Sequence, residues 1–476
     1  MTGARYQSPL GTRYASPAMQ ALWGDAHRAA LWRRLWLALM EEQRELGLAI
    51  PDAAIAELRA HLDDADLAVV AQYERRFRHD VMAHVHALGD QAPAARPFLH
   101  LGATSAYVTD NADLLVLREG MRLLLGRLVA LLRAFGAFAG RHAALPCLAY
   151  THFQPAQLTT VGKRATLWAQ DFALDAEELC HRLETMRFRG CKGTTGTQAS
   201  FLELFDGDHA KVRELDRRVT AAMGFERSFG VTGQTYPRQM DFRVLSALSS
   251  IAQSAHKFAT DLRLLAHRRE LEEPFETAQV GSSAMPWKRN PMRSERMCSL
   301  ARFVIESLGN AAHTAANQWL ERTLDDSANR RIVIAEMFLA TDAILNLYGN
   351  VAAGLVVNAG VVRRNLDEEL PFLASEHVMM EAVKLGADRQ DVHESVRRAS
   401  HEAAAAVKAG KPNPLAGILA RDPVLGRMSQ RLAGLLDPAR YVGRAPEQVL
   451  EYVASEVDPV LERYRDLVDR PADVRV

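Results

Sequence analysis

An all-α protein built around a bundle of long helices is the fold this sequence predicts, and three observations predict it. Ala, Leu, Arg and Glu, all helix formers, dominate the composition. Alternating apolar–polar runs bounded by turn residues are nearly absent. Apolar residues instead recur every three or four positions through long stretches. At ~1.5 Å per residue, a helix of about 30 residues is ~45 Å long. A compact domain rarely needs such a helix. A bundle does, and bundle helices often continue across a subunit interface.

Taken in order, residues 1–104 read as an N-terminal domain of shorter helices. A central domain, 105–357, holds five long helices. The first spans about 111–145 and stops at Pro146; the second spans about 157–188, before the break Arg189-Gly-Cys-Lys-Gly193. The third, about 238–273, carries Val244, Leu248, Ile251, Ala255, Phe258, Leu262 and Leu265 on one face and ends at Pro274. Its many Ala and Ser seam residues allow close helix approach. The fourth starts near Pro291 and passes Trp319, and the fifth spans about 326–357. Residues 358–476 form a C-terminal helical domain with a looser segment at 408–414.

The 476 residues balance 58 Lys+Arg against 58 Asp+Glu. A zero net charge argues against a protein that coats nucleic acid or an anionic membrane. Four scattered cysteines with no CxxC pair predict reduced thiols and a cytoplasmic location. No run reaches ~18 apolar residues, so no membrane span is expected. Lysine fills only eight of the 58 basic positions, among them Lys163, Lys192 and Lys288. Each is a candidate place where a guanidinium does not fit.

Five segments carry candidate chemistry. Between the third and fourth helices, Val280 to Pro291 packs hydroxyls, cations and a carboxamide into a proline-restricted loop. It is a solvated linker or an active-site loop held on a rigid scaffold. His152, in Thr151-His-Phe-Gln-Pro155, is a structural or a catalytic histidine; a lone histidine is more often structural, and its polar neighbours improve the odds of the second. Arg78-His-Asp80 is followed by His84 and His86, but the histidines lack the i, i+4 spacing of a helical zinc pair; an anion-binding cluster is the better reading and no metal is expected. Thr104, Ser105, Thr109 and Asp110 precede a long helix, either as N-cap chemistry or as an anion site. In Glu321 to Arg331, Ser327 caps a helix and the arginines pair with Asp325 and Asp326, or Ser327 and Arg331 share a binding face.

The motif Gly281-Ser-Ser-Ala-Met-Pro-Trp-Lys-Arg-Asn-Pro291 resembles the signature loop of the fumarase/aspartase/argininosuccinate lyase superfamily. Its continuation Met292-Arg-Ser-Glu-Arg-Met-Cys-Ser-Leu-Ala-Arg302 resembles adenylosuccinate lyases, in the form found in animals. The other motifs match in the same order, from about residue 12 to about 460. Trp287 stands where that form usually has Tyr.

The resemblance implies a three-domain fumarase/aspartase-like fold in a homotetramer whose sites are shared between subunits. It implies release of fumarate from adenylosuccinate and from its aminoimidazole counterpart, without cofactor or metal. Ser282 would be the base and His152 the acid. Arg13, Tyr14, Arg322, Ser327 and Arg331 would hold the phosphate and nucleotide end. Arg78, His79 and Asp80 would line the site, and Thr104, Ser105, Gln234, Lys288, Asn290 and Arg296 would hold the succinyl part. Another fumarate-releasing lyase, such as argininosuccinate lyase, is the nearest rival; a catalytically silent protein on this fold would not need the loop residues.

Overall fold

The computed structural model describes residues 6–425 and 434–467. Five long helices form its centre: α1 (Ser105–Arg141), α2 (Val161–Thr185), α3 (Gln239–His267), α4 (Met292–Ala316) and α5 (Asp326–Ala353). They follow the five periodic stretches in order. Helices α1 and α2 pack together, as do α3 with α4 and α4 with α5, and α5 closes back on α1. Four of them meet on one aromatic cluster. The Phe258 and Tyr348 rings stack at 4.2 Å, with Trp168 and Phe135 set edge-on or tilted around them. Burying such rings contributes about 1.5–3 kcal/mol each. Small residues set the helix spacing: a Cβ on Gly120 of α1 would stand 2.7 Å from the Phe338 ring of α5. Helices α1 and α5 are apolar and long enough to span a bilayer, yet most of each apolar window is buried inside the bundle.

Two local expectations fail. The sequence predicts a helix from about 157, but the chain forms a hairpin there, β1 (Pro146–Thr151) antiparallel to β2 (Gln154–Thr160). Leu148 and Leu158 pair across it and are buried with Leu366 and Leu370, so long-range packing overrides helix propensity. The Thr160 side chain accepts a hydrogen bond from Lys163 N–H at 3.0 Å, which starts α2 only at Val161. Secondly, Thr109 and Asp110 are not caps. They lie inside α1, which begins at Ser105, and Asp110 is buried.

A further short pair, β3 (Leu271–Glu272) and β4 (Val356–Val357), ties the end of α3 to the end of α5. Beyond it, Val378, Val392, Leu415 and Leu435 share a separate small core. The last helices then return to the bundle, where Val449 and Val457 join the main core.

Candidate active site

Helices α1, α3 and α5 start at one end of the bundle. There a cavity of about 570 Å³ is lined by Arg78, His79, Asp80, Ser105, Gln234, Arg322, Ser327 and Arg331. Thr104 adjoins them as the residue before α1. Local sequence explains the placements. Arg78 ends helix Leu67–Phe77 with a left-handed φ of 54°. His79 then caps helix Asp80–Gln91, accepting from Met82 N–H at 3.3 Å. Its other ring nitrogen lies 3.4 Å from Ser105 Oγ. The Gln234 backbone N–H donates to Glu321 O at 2.9 Å, which joins the α3 and α5 approaches. Ser327 makes no side-chain cap at α5. The arginines of its segment are paired, Arg322 with Asp326 and Arg331 with Asp80, each at 2.8 Å.

A buried charge network supports this end. Arg238 donates to both oxygens of Asp110, at 2.9 and 3.2 Å, and to Asp326 at 2.7 Å. The second oxygen of Asp326 holds Arg322. Arg330 donates to Asp241 at 2.7 Å, Asp113 at 2.8 Å and the Tyr236 hydroxyl at 2.6 Å. Burial opposes charge on these groups. At three of them the opposed partners outweigh it, so Arg238 and Arg330 sit above the usual arginine range and Asp110 below the carboxylate range, whereas at Asp113 burial prevails and pushes the carboxyl up. Asp110, Asp113, Arg238, Asp326 and Arg330 all line the cavity; Asp110 and Asp326 fall in candidate segments, yet none of the five is among the site residues that the resemblance implies. The available signal was a carboxylate pair, Asp110 and Asp113, three apart inside an apolar helix, which needs buried cations.

The remaining candidates lie elsewhere. Arg13 and Tyr14 belong to a turn, Leu10–Tyr14, anchored where Ser16 N–H donates to Asp342 of α5 at 2.7 Å. The Arg296 guanidinium stands 5.5 Å from the Tyr14 ring centre. Asp342 is 15 residues beyond Ser327 on α5, or ~22 Å along its axis. His152, Ser282, Lys288 and Asn290 occupy the opposite end of the bundle, separated from the cavity by the ~43 Å length of α3.

His152 and Phe153 form the exposed tip of the β1–β2 hairpin, with φ of 51° and 58°. Paired positive φ values are the geometry that lets a two-residue turn match strand twist. In the loop 280–291, Ser282 Oγ accepts from Met285 N–H at 3.1 Å, and Asn290 Nδ2 donates to Gly281 O at 2.9 Å. The Lys288 side chain is exposed. Among the described residues no hydrogen bond joins His152 to Ser282. A single chain therefore presents the candidate residues in three places.

Other residues singled out in the sequence have structural partners. Lys192 is buried in an ion pair with Asp216 at 2.8 Å. His84 packs on Trp32 and His86 on Phe77, and no metal-holding group of three side chains is found among the described residues.

Residues 29–306 match the family model described as Lyase, and residues 371–452 match the one described as Adenylosuccinate lyase C-terminus. The chain is 48% identical to the adenylosuccinate lyase of Schistosoma mansoni, over 99% of both chains. It is 48% identical to that of Saccharomyces cerevisiae, over 97% of this chain and 96% of the other. Its fold is similar to the crystal structure of 3-carboxy-cis,cis-muconate lactonizing enzyme from Pseudomonas putida, with a TM-score of 0.80 and 24% identity, covering 94% of this chain and 98% of that one. The chain belongs to the adenylosuccinate lyase family of the fumarase/aspartase superfamily.

Proposed function

We propose that this chain is a carbon–nitrogen lyase that releases fumarate from adenylosuccinate to give AMP, and from the succinylated aminoimidazole carboxamide ribotide by the same step. The observation that carries the reading is a pre-organised cationic cavity in a protein of zero net charge, on a chain matched end to end by adenylosuccinate lyases. The substrate carries a phosphate and two carboxylates. Arg322, Ser327 and Arg331, with Arg13 and Tyr14, receive the phosphate and nucleotide. Thr104, Ser105, Gln234, Lys288, Asn290 and Arg296 receive the succinyl part, and Arg78, His79 and Asp80 line the site.

The difficult step removes a proton from the carbon beside a carboxylate, which places a second negative charge there. Fixed cations and amide donors absorb it. Ser282 takes the proton. The C–N bond then breaks, and His152 protonates the departing nitrogen. A serine hydroxyl needs help to act as a base. Met285 N–H, 3.1 Å from Ser282 Oγ, favours its alkoxide, and Lys288 of the same loop is the cation assigned to help it. The elimination needs only a base, an acid and fixed cations, all supplied by side chains.

The separation of the loop and hairpin from the cavity supports a homotetramer in which neighbouring copies bring loop, hairpin and cavity together. Small-molecule nucleotide substrates and a cytoplasmic setting complete the reading. Fumarate release from both succinylated nucleotides, measured by ultraviolet absorbance, tests it. Activity on argininosuccinate alone would sink it. Specific activity is expected to collapse on dilution as subunits separate.

A further inference from the structure

We propose that Glu273 and Arg293 are positioning residues that clamp the neck of the loop carrying Ser282, Lys288 and Asn290. The inference rests on the catalytic reading of that loop. Its starting point is the N-terminus of α4. Pro291, the residue before the helix, makes no side-chain cap. The first N–H groups of a helix need acceptors. They find one across the loop: Glu273 Oε2 accepts from Arg293 N–H at 3.1 Å, and Glu273 Oε1 accepts from Ser294 N–H at 2.6 Å and from the Ser294 hydroxyl at 2.5 Å. A carboxylate here also suits the helix dipole.

Arg293 completes the clamp in the reverse direction. Its guanidinium donates to Pro274 O at 2.9 Å and pairs with Glu276. Both strands of the neck, 273–276 and 293–294, are thus tied by charge-assisted bonds, and Arg293 and Ser294 are buried. A second tier lies nearer the tip. Asn290 Nδ2 donates to Gly281 O, and a Cβ on Gly281 would stand 2.2 Å from Lys288 O. Between the tiers, Arg289 lies 3.6 Å from Glu272 and over the Phe275 ring. The tip itself is exposed at Val280, Met285 and Trp287. A tied neck with a free tip presents Ser282 and Lys288 in one geometry while leaving the tip to dock elsewhere. A misplacement of about 1 Å can cost 100-fold in rate.

The test compares Glu273→Gln, Glu273→Asp and Arg293→Lys in the full-length enzyme, by steady-state kinetics and by hydrogen exchange of residues 274–291. Gln sets an NH2 group against the α4 N–H donors. Glu273→Gln is expected to lower kcat about 10- to 100-fold with KM changed less than about threefold, and to speed exchange in the loop alone. Glu273→Asp should recover part of kcat, and Arg293→Lys should lose less than Glu273→Gln. Should Glu273→Gln not fold, Arg293→Lys decides the matter. Unchanged kcat beside faster loop exchange would overturn the clamp as a positioning device. Ser282→Ala separates this from the catalytic reading: retained turnover there moves the base elsewhere, whatever the clamp does.

Discussion

At the cavity end of the bundle, a network of charged groups is buried and paired within one chain; at the loop end, His152 and Lys288 stand in solvent and Ser282 and Asn290 are half-buried. Arg238 and Asp326 are each 1% exposed and hold one another. Phe153 and Trp287, which flank His152 and lie in the signature loop, are 63% and 75% exposed. The two ends solve different problems. A polyanionic substrate needs cations whose positions do not relax, and a buried network with every partner satisfied provides that. On the proposed reading, in which loop and hairpin act on substrate held by another copy, that end needs a defined base and an uncovered tip.

Breaking the network should have the largest effect. Arg238→Met leaves Asp110 and Asp326 buried without their main partner, and should cost about 3–5 kcal/mol, read as a lowered urea midpoint. Loss of under about 1 kcal/mol would mean that the cavity end is not held by its charges.

Acidification should come next. Burial drives His84 and His100 down to about 4 from an ordinary 6.5. Both are neutral when folded at pH 5.5, while the unfolded chain binds protons there. Stability is therefore complete above about pH 6.5 and falls as pH drops toward about 4, by up to about 3 kcal/mol per histidine. His100→Asn should flatten this slope in thermal unfolding. Asn tolerates the local φ of 63° and keeps an acceptor for the Trp36 indole N–H, now 3.0 Å from His100 Nδ1.

Lys288→Arg should have the smallest effect, yet it sharpens the comparison most. Its side chain is exposed in the single chain, so nothing within that chain crowds it. A crowded, subunit-completed site predicts about a tenfold loss of kcat with charge retained. Turnover equal to wild type would place the ammonium outside the reacting region.

Much of this was legible in advance, for identifiable reasons. The seam of α3 shows its period in Val244, Leu248, Ile251 and Ala255, and all four are buried. The hairpin at 146–160 escaped because its only strand signal is Leu148 and Leu158, whose burial depends on Leu366 and Leu370 two hundred residues later. Asp110 looked like a cap because its partner, Arg238, lies 128 residues away. Glu273 carried no motif at all, since its value is set by the N–H groups it faces across the loop.

The sequence by itself determined the helices, their order, the loops between them and the family to which the motifs belong, because propensity, periodicity and motif spacing are written along the chain. Tertiary structure decided which charges are paired and buried, where α1 starts, and how far the loop and hairpin stand from the cavity. Coulomb energy and desolvation depend on distances through space, and those exist only once the helices have packed.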